Sequence, residues 1–150
     1  MEIKATLQKP YTDEERMNFI VEYNHNLGYV IEETETELQA LGYTAEELQV
    51  QEQERIAMLN LTGADVERGI YKAKGMDFDD IIQYLNTYPQ DGLDIKAVKI
   101  ELKANHFYRG NPYVNAIGSL LGFTSEQLDK FFEDGDYTHL LEVKEEVTNE

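Results

Sequence analysis

Apolar residues at helical spacing, interrupted by glycine and proline, dominate the chain, but its first residues follow a different pattern. Ile3, Ala5 and Leu7 alternate with polar residues, as in a half-buried strand. The β-prone segment 29–31 is a suitable pairing partner for residues 2–7. We therefore expect a small two-stranded β patch near the N-terminus. It must pack on helices, because two strands alone are only marginally stable.

Capping residues mark where helices begin, because their side chains accept hydrogen bonds from the free N–H groups of the first turn. Glycine and proline mark where helices end. The predicted helices begin after Thr12, Thr44, Thr62, Asp77, Asp94, Asn111 and Thr124. They end near Gly28, Leu59, Gly75, Pro89, Gly110, Gly122 and Gly135. The predicted fold class is mainly α, with several short helices joined by Gly-capped corners.

An internal repeat supports these corners. Segment 41–48 matches segment 121–128, and segment 75–81 is a weaker third copy. In each copy a glycine follows one helix, a large apolar residue comes next, and a capping residue opens another helix. We expect positive φ angles at the three glycines, Gly42, Gly75 and Gly122.

Two copies extend into similar helix-corner-helix units, 62–86 and 109–133, which a helix over 94–108 joins. Corresponding apolar positions in the two units predict a shared core. Its expected members are Ile70, Ile81, Leu85, Val98, Leu102, Ile117, Leu128 and Phe132.

Charge suggests how the chain is organised. The formal net charge of the whole chain is −17, and residues 1–61 hold 13 acids but only 4 Lys or Arg. Residues 62–141 carry the helix-corner-helix units, and residues 142–150 form a charged tail. We expect these three parts to make one compact domain, with the acidic N-terminal segment carrying the β patch and further helices.

Two sets of charged residues are candidates for interaction. The acidic set consists of Glu32, Glu33, Glu35, Glu37, Glu46 and Glu47. The basic set consists of Lys96, Lys99 and Lys103, at one-face spacing on the predicted 94–108 helix. Either set also fits an ordinary solvated surface. So acidic a chain repels nucleic acid and anionic membrane and favours a protein partner with a basic or apolar face.

The sequence lacks recognisable catalytic or metal-binding patterns. There is no cysteine, and the three histidines, His25, His106 and His139, have no metal-ligand spacing on a helix. The acids at 77–80 and 133–136 do not fit a calcium loop, and we interpret them as a helix start and a helix-end turn. We predict no catalytic residues, no cofactor, no bound metal and no enzymatic activity.

The corner at 116–124 resembles a DNA-binding helix-turn-helix in its order of helix end, glycine and capping residue. Its second helix, 125–134, carries four acids and one lysine, which would face the phosphates of DNA. A structural corner is therefore the preferred interpretation. No apolar run approaches the roughly 18 residues of a membrane span, so no membrane association is expected.

Several runs of residues resemble small uncharacterised proteins encoded near tail genes in phages and prophages of Gram-positive bacteria. These runs are 9–16, 19–29, 32–38, 41–44, 61–66 and 107–112. The resemblance implies a phage origin, a place in the cytoplasm of the bacterial host or on the virion, and a role in virion assembly. It carries no site residues.

From these observations we expect a non-enzymatic protein that works by protein–protein binding, in tail assembly or as a virion accessory factor. The first alternative is an acidic anti-defence or host-takeover inhibitor that mimics nucleic acid. The second alternative is a helix-turn-helix regulator. The oligomeric state and the identity of the partner do not follow from the sequence.

Overall fold

The chain divides into two compact units. A computed structural model describes residues 1–141, and contacts within the chain separate Met1–Gln53 from Glu54–Glu150. This boundary lies inside a helix, whereas the division made from the sequence lies between 61 and 62. The predicted tail, 142–150, is outside the described residues. That the two units form one compact domain stays a prediction.

Within residues 1–141 the fold is mainly α, as predicted. The strands are β1 (Glu2–Gln8), β2 (Val30–Glu33), β3 (Glu37–Gly42), β4 (Asn60–Thr62) and β5 (His106–Tyr108). The helices are α1 (Asp13–Ile20), α2 (Ala45–Ala57), α3 (Gly63–Lys74), α4 (Phe78–Thr87), α5 (Ile95–Glu101), α6 (Pro112–Leu120) and α7 (Ser125–Asp134). A π-helical segment, Val21–Asn26, continues α1, and a 3-10 helix, Tyr137–Leu140, follows α7.

The N-terminal unit contains a three-stranded antiparallel sheet in the order β1-β3-β2. The prediction of two strands was therefore wrong, since β2 pairs with β3 and the central strand was missed. Leu38, Ala40 and Gly42 are buried at alternate positions of β3, as a half-buried strand requires. Glu, Leu, Gln and Ala are helix formers, and this local preference obscures the strand pattern in the sequence.

Gly42 is the one glycine of the repeat that does not form a corner. It ends β3 and has no positive φ, contrary to the prediction. A Cβ atom there would lie 2.8 Å from the ring of Tyr29, so close packing against that ring accounts for the glycine. The following Thr44 still begins a helix, because Thr44 and Glu47 exchange hydrogen bonds of 3.1 Å at the start of α2.

One face of the N-terminal sheet is covered by α1 and the π-helical segment. Phe19 on α1 is buried together with Leu38 and Ala40 of β3, and Ile20 and Tyr23 pack at the edge of this cluster. As predicted, Thr12 and Glu15 form a capping box at the start of α1. The small core is therefore built from one helical segment and one side of the sheet.

The C-terminal unit contains the two predicted helix-corner-helix pairs, α3–α4 and α6–α7. Gly75 and Gly122 have the expected left-handed conformation, with φ angles of 71° and 82°. Capping boxes open the second helix of each pair, as the capping signals predicted. These two corners confirm the repeat argument where Gly42 did not.

The predicted helix over 94–108 is shorter in the structure. Helix α5 ends at Glu101, and β5 pairs with β4 so that Phe107 lies opposite Leu61. The aromatic residues of β5 favour extended structure, and Phe107 is buried in the core. Lys103 therefore lies beyond α5 rather than on it.

The core of the C-terminal unit confirms the predicted set of apolar residues. Seven of the eight are buried in one cluster, and Leu102 is partly buried against it. Two glycines allow the helices to pack closely. A Cβ on Gly69 would lie 2.5 Å from Cζ of Phe131, and one on Gly118 would lie 2.6 Å from Cδ1 of Leu128. Adding even a methyl group at either position would force neighbouring atoms apart.

The Gly118–Leu128 contact predicts a strong coupling between two substitutions. Leu128→Ala should lower the free energy of unfolding by about 2–5 kcal/mol, because it leaves a cavity. Gly118→Ala alone should lower it by about 1–3 kcal/mol through overpacking. In the Leu128→Ala background the clash is gone, and Gly118→Ala should raise stability by up to about 1 kcal/mol, the helix preference of alanine. Urea unfolding of the four proteins measures this coupling.

Ser119→Ala is the matched control, since Ser119 is the exposed neighbour of Gly118 on α6. It should change the free energy of unfolding by less than about 0.5 kcal/mol. Additive effects of the Gly118 and Leu128 substitutions would contradict the packing described here.

Candidate functional site

The predicted acidic set lies entirely in the N-terminal unit. Glu32 and Glu33 are on β2, Glu35 is in the turn that follows, and Glu37 begins β3. The remaining pair, Glu46 and Glu47, lies in the first turn of α2, where acids suit the helix dipole. The structure separates this set into carboxylates with partners inside the unit and carboxylates without them.

Glu33 has internal partners. The hydroxyl of Tyr11 donates a hydrogen bond to its carboxylate, and Nζ of Lys9 lies 3.6 Å away. The Tyr11 hydrogen bond, followed by the charge of Lys9, holds the pKa of Glu33 below its ordinary value. Glu33 therefore helps to join β2 to the segment before α1.

Glu47 and Glu37 are also partnered. The Glu47 carboxylate lies 2.6 Å from the amino group of Met1, and that hydrogen bond, followed by the backbone N–H of Thr44, lowers the pKa of Glu47. The Glu37 carboxylate accepts a hydrogen bond of 3.3 Å from Nε2 of Gln8 on the neighbouring strand. These acids have structural roles within the unit.

The other three carboxylates, Glu32, Glu35 and Glu46, are exposed. Within residues 1–141 they make no hydrogen bond or ion pair. The candidate acidic surface is therefore smaller than the sequence indicated, and its free charges are these three.

The basic set lies in the other unit. Lys96 and Lys99 are exposed on α5, and Lys103 is exposed in the turn after it. Lys99 and Lys103 line a surface groove of about 440 Å³ together with Glu67 and Asp79. The carboxylates offset the lysine charges, so this groove has mixed charge and is a poor site for a phosphate.

The most organised polar cluster surrounds Arg109, which is only 5% exposed. Its Nε donates to Oδ1 of Asp129 at 2.8 Å, Nη1 donates to Oδ1 of Asn115 at 2.6 Å, and Nη2 donates to Oγ of Ser125 at 2.9 Å. Each nitrogen thus has an acceptor on α6 or α7. The cluster joins the second corner to the end of β5 and has no nitrogen left to bind a ligand.

Sequence reasoning did not single out Arg109, because nothing local distinguishes it from a surface arginine. Arg109→Ala should lower the free energy of unfolding by about 1.5–3 kcal/mol, since it removes the charge-assisted hydrogen bonds of a buried side chain. Arg68→Ala is the control, because Arg68 is largely exposed and pairs with Asp65 across one helical turn. It should change stability by less than about 1 kcal/mol. Equal shifts of the two urea midpoints would contradict a structural role for Arg109.

Among residues 1–141, the group that most resembles a metal site lies at the C-terminal end of α7 and in the segment after it. The ligand atoms of Asp134, Asp136 and His139 all lie within 4.8 Å of one another. Nε2 of His139 is 2.9 Å from Oδ2 of Asp134, and Asp136 accepts hydrogen bonds from the backbone and hydroxyl of Thr138. Gly135 is left-handed between the two acids. This geometry agrees with the predicted helix-end turn, and internal donors already contact both carboxylates.

A search for ligand spacing on a helix misses this group, because its residues meet across a turn and a 3-10 helix. The hydrogen bond from His139, followed by the backbone N–H of Asp136, holds the pKa of Asp134 below its ordinary value. A lowered pKa stabilises the fold above the ordinary carboxyl pKa, and this stabilisation is lost as the pH falls through the folded-state value.

His139→Phe should therefore raise the pKa of Asp134 towards its ordinary value, because the ring donor is removed. Asp136 serves as an internal control, since Thr138 supplies the largest contributions to its lowered pKa. NMR titration of the side-chain carboxyl groups would measure the two values in one experiment. An unchanged Asp134 titration would show that His139 does not donate to it in solution.

The core of the C-terminal unit encloses a cavity of about 30 Å³. Its lining is apolar and includes Val66, Phe107 and Ile117. Ligand pockets measure roughly 300–1,000 Å³, so this cavity is a packing defect rather than a substrate site.

Comparisons with protein-family models, curated proteins and solved structures find no match for this chain. Among the helices of residues 1–141, none combines the length and the apolar character needed to cross a membrane.

Proposed function

We propose that this chain is a non-enzymatic phage or prophage protein that acts by binding another protein. It serves in tail assembly or as a virion accessory factor, in the cytoplasm of the bacterial host or on the virion. Its partner presents a basic or apolar face, and binding needs no cofactor. Neither nucleic acid nor membrane is a partner in this proposal.

The observation that carries this proposal is the surface of the N-terminal unit. Residues 1–53 contain twelve acids and three Lys or Arg, and Glu32, Glu35 and Glu46 have no partner among the described residues. Apolar side chains are exposed in the same unit, among them Val30 at 43% and Leu48 at 53%. An exposed apolar patch rimmed by polar residues is typical of a protein-binding surface.

A second candidate function is an anti-defence or host-takeover inhibitor that mimics nucleic acid. The net charge of −17 favours it, because a basic groove that binds DNA would attract so acidic a protein. The two candidates differ in the partner, which is a virion component in the first and a nucleic-acid enzyme in the second. DNA should compete with the chain for its partner only in the second.

The α6–α7 corner is the observation that favours a helix-turn-helix regulator. The start of α7 argues against it, because base contacts are made by the first residues of a recognition helix. Gln127 accepts a hydrogen bond from the backbone N–H of Thr124, and its Nε2 donates to the carbonyl of Leu141 at 3.1 Å. The neighbouring Glu126 would face the phosphates. We rank the regulator third.

Affinity capture tests the proposed function directly. The full-length tagged chain, expressed in infected bacteria, should retain one protein in a fixed ratio. Binding between the two purified proteins should weaken as the salt concentration rises, because salt screens the attraction between opposite charges. The screening length is about 10 Å at 0.1 M. Calorimetry with the purified pair measures affinity and ratio. Failure to reconstitute any protein complex would overturn the proposal, and competition by DNA would favour the inhibitor.

A gel-shift titration with duplex DNA and RNA at low salt tests the predicted lack of nucleic-acid binding. We expect no shifted band, since binding requires Lys or Arg to neutralise phosphates. Sequence-dependent binding with a Kd below about 1 µM, tighter than typical non-specific binding, would instead place the regulator first.

A further inference from the structure

Resting on the proposed function, we propose that the uncovered face of the N-terminal sheet binds a basic amphipathic helix of another protein. We call this surface the open face. It consists of alternate residues of β2 and β3 and the residues of β1 that lie opposite them across a β-bulge at Lys4. These residues are Ile3, Thr6, Gln8, Val30, Glu32, Glu37, Gln39 and Leu41.

Strand register defines the open face. Directly opposed residues of antiparallel strands project on the same side of a sheet. Leu38 and Ala40 belong to the covered side, so Leu41 and Gln39 project to the other side. Leu41 lies opposite Ile3 on one neighbour and opposite Val30 on the other. The register therefore gives the open face a continuous apolar row across all three strands.

This apolar row is exposed. Ile3 is 53% exposed and Val30 is 43% exposed, and Leu41 between them is partly buried. Among the described residues, neither hydrophobic cluster includes any of these three side chains. Exposed apolar side chains that lie in contact across strands have more apolar area to bury than the same residues scattered singly.

Polar side chains occupy the rest of the open face, and two of them are carboxylates. The next row contains Glu32 opposite Gln39, and the last row contains Glu37 opposite Gln8. The open face carries two acids. The bulge residue Lys4 of β1 does not offset them, because its Cε lies 3.1 Å from the Cβ position of Gly42 on the covered side. A partner with matching chemistry is apolar at one end and basic at the other.

The acids of the open face determine which kind of molecule binds there. A second copy of this chain would place Glu32 and Glu37 against their own counterparts with no cation between them, which is unfavourable. Nucleic acid and anionic lipid are repelled for the same reason. Lys or Arg side chains of another protein would instead pair with Glu32, which has no partner among the described residues.

The dimensions suit a single helix. The outer strands of a three-stranded sheet are about 10 Å apart, close to the diameter of an α-helix. Leu41 and Glu37 are separated by about 13 Å along β3 at 3.3 Å per residue. That distance corresponds to about nine residues of helix, so the partner has its basic residues about two turns from its apolar ones.

The test uses a synthetic helical peptide of about 18 residues, long enough to span the strands. One face carries leucines in the first turns and lysines in the last turns, and a control peptide has the same composition in scrambled order. Each is titrated into the full-length ¹⁵N-labelled protein. We expect the patterned peptide to shift amide signals of the open face and to bind more tightly than the scrambled one.

Two variants test the two halves of the surface. The double variant Ile3→Thr with Val30→Thr keeps β-branched residues in the strands and should weaken binding about tenfold or more, as expected for central apolar contacts. The double variant Glu32→Gln with Glu37→Gln should weaken binding at low salt and reduce its salt dependence. Circular dichroism should show that each variant remains folded.

Matched controls lie off the open face. Glu46→Gln removes another free carboxylate of the same unit, and Ile100→Thr removes an exposed apolar side chain of the other unit. Neither should change the affinity for the patterned peptide by more than about twofold, as for residues outside a binding hot spot.

Three results would overturn this inference: no binding of the patterned peptide at low salt, equal binding of the scrambled peptide, or signal shifts spread over acidic surfaces elsewhere. A natural partner whose affinity is unchanged by Ile3→Thr with Val30→Thr would also overturn it, while the proposed function would stand. The absence of any reconstituted protein partner would instead overturn the proposed function.

Discussion

Hydrogen bonds between side chains and the first backbone N–H groups of helices organise this acidic chain. Thr12 with Glu15, Thr44 with Glu47, and Asp77 with Asp80 each form a reciprocal pair. Such pairs satisfy donors that the helix itself leaves free, and they place carboxylates at the positive end of the helix dipole. A chain with a net charge of −17 thus uses part of its negative charge to hold helices in place, where it would otherwise only add repulsion.

The acids of the N-terminal unit differ in whether they have partners within the unit. Glu33 and Glu47 each lie beside a positive charge inside the N-terminal unit, so they are poor candidates for contacts with another molecule. The donors to Glu37 are uncharged glutamine amides, so its charge on the open face is not neutralised. Glu32 and Glu35 have no such partners among the described residues. These glutamates cannot be told apart from the sequence, because a charge count does not distinguish a capping or paired carboxylate from a free one.

Much of the helical structure could be predicted from local chemistry. A left-handed glycine such as Gly122 followed by a capping residue such as Thr124 is a short-range signal, and apolar spacing then identifies the core. The strands depend on distant partners instead. Phe107 is in a strand because it pairs with Leu61, and Leu38 because it lies between β1 and β2. Propensity over a few residues does not contain that information.

The candidate site was predictable only in outline, for the same reason. An acidic surface on the first part of the chain follows from composition, whereas the apolar row on the open face exists only once the strands are in register. A shift of β3 by one residue would move Leu38 and Ala40 out of the core and turn Leu41 towards α1.

The core and the proposed binding surface are therefore alternate positions of one strand. Gly42 lies against Tyr29 on the covered side, where a Cβ atom would approach the ring too closely. A larger residue there would disturb the packing of the covered side and, through the register, the alignment of Leu41 with Ile3 and Val30. Substitutions that leave the open face chemically unchanged can thus alter it from the opposite side of the sheet.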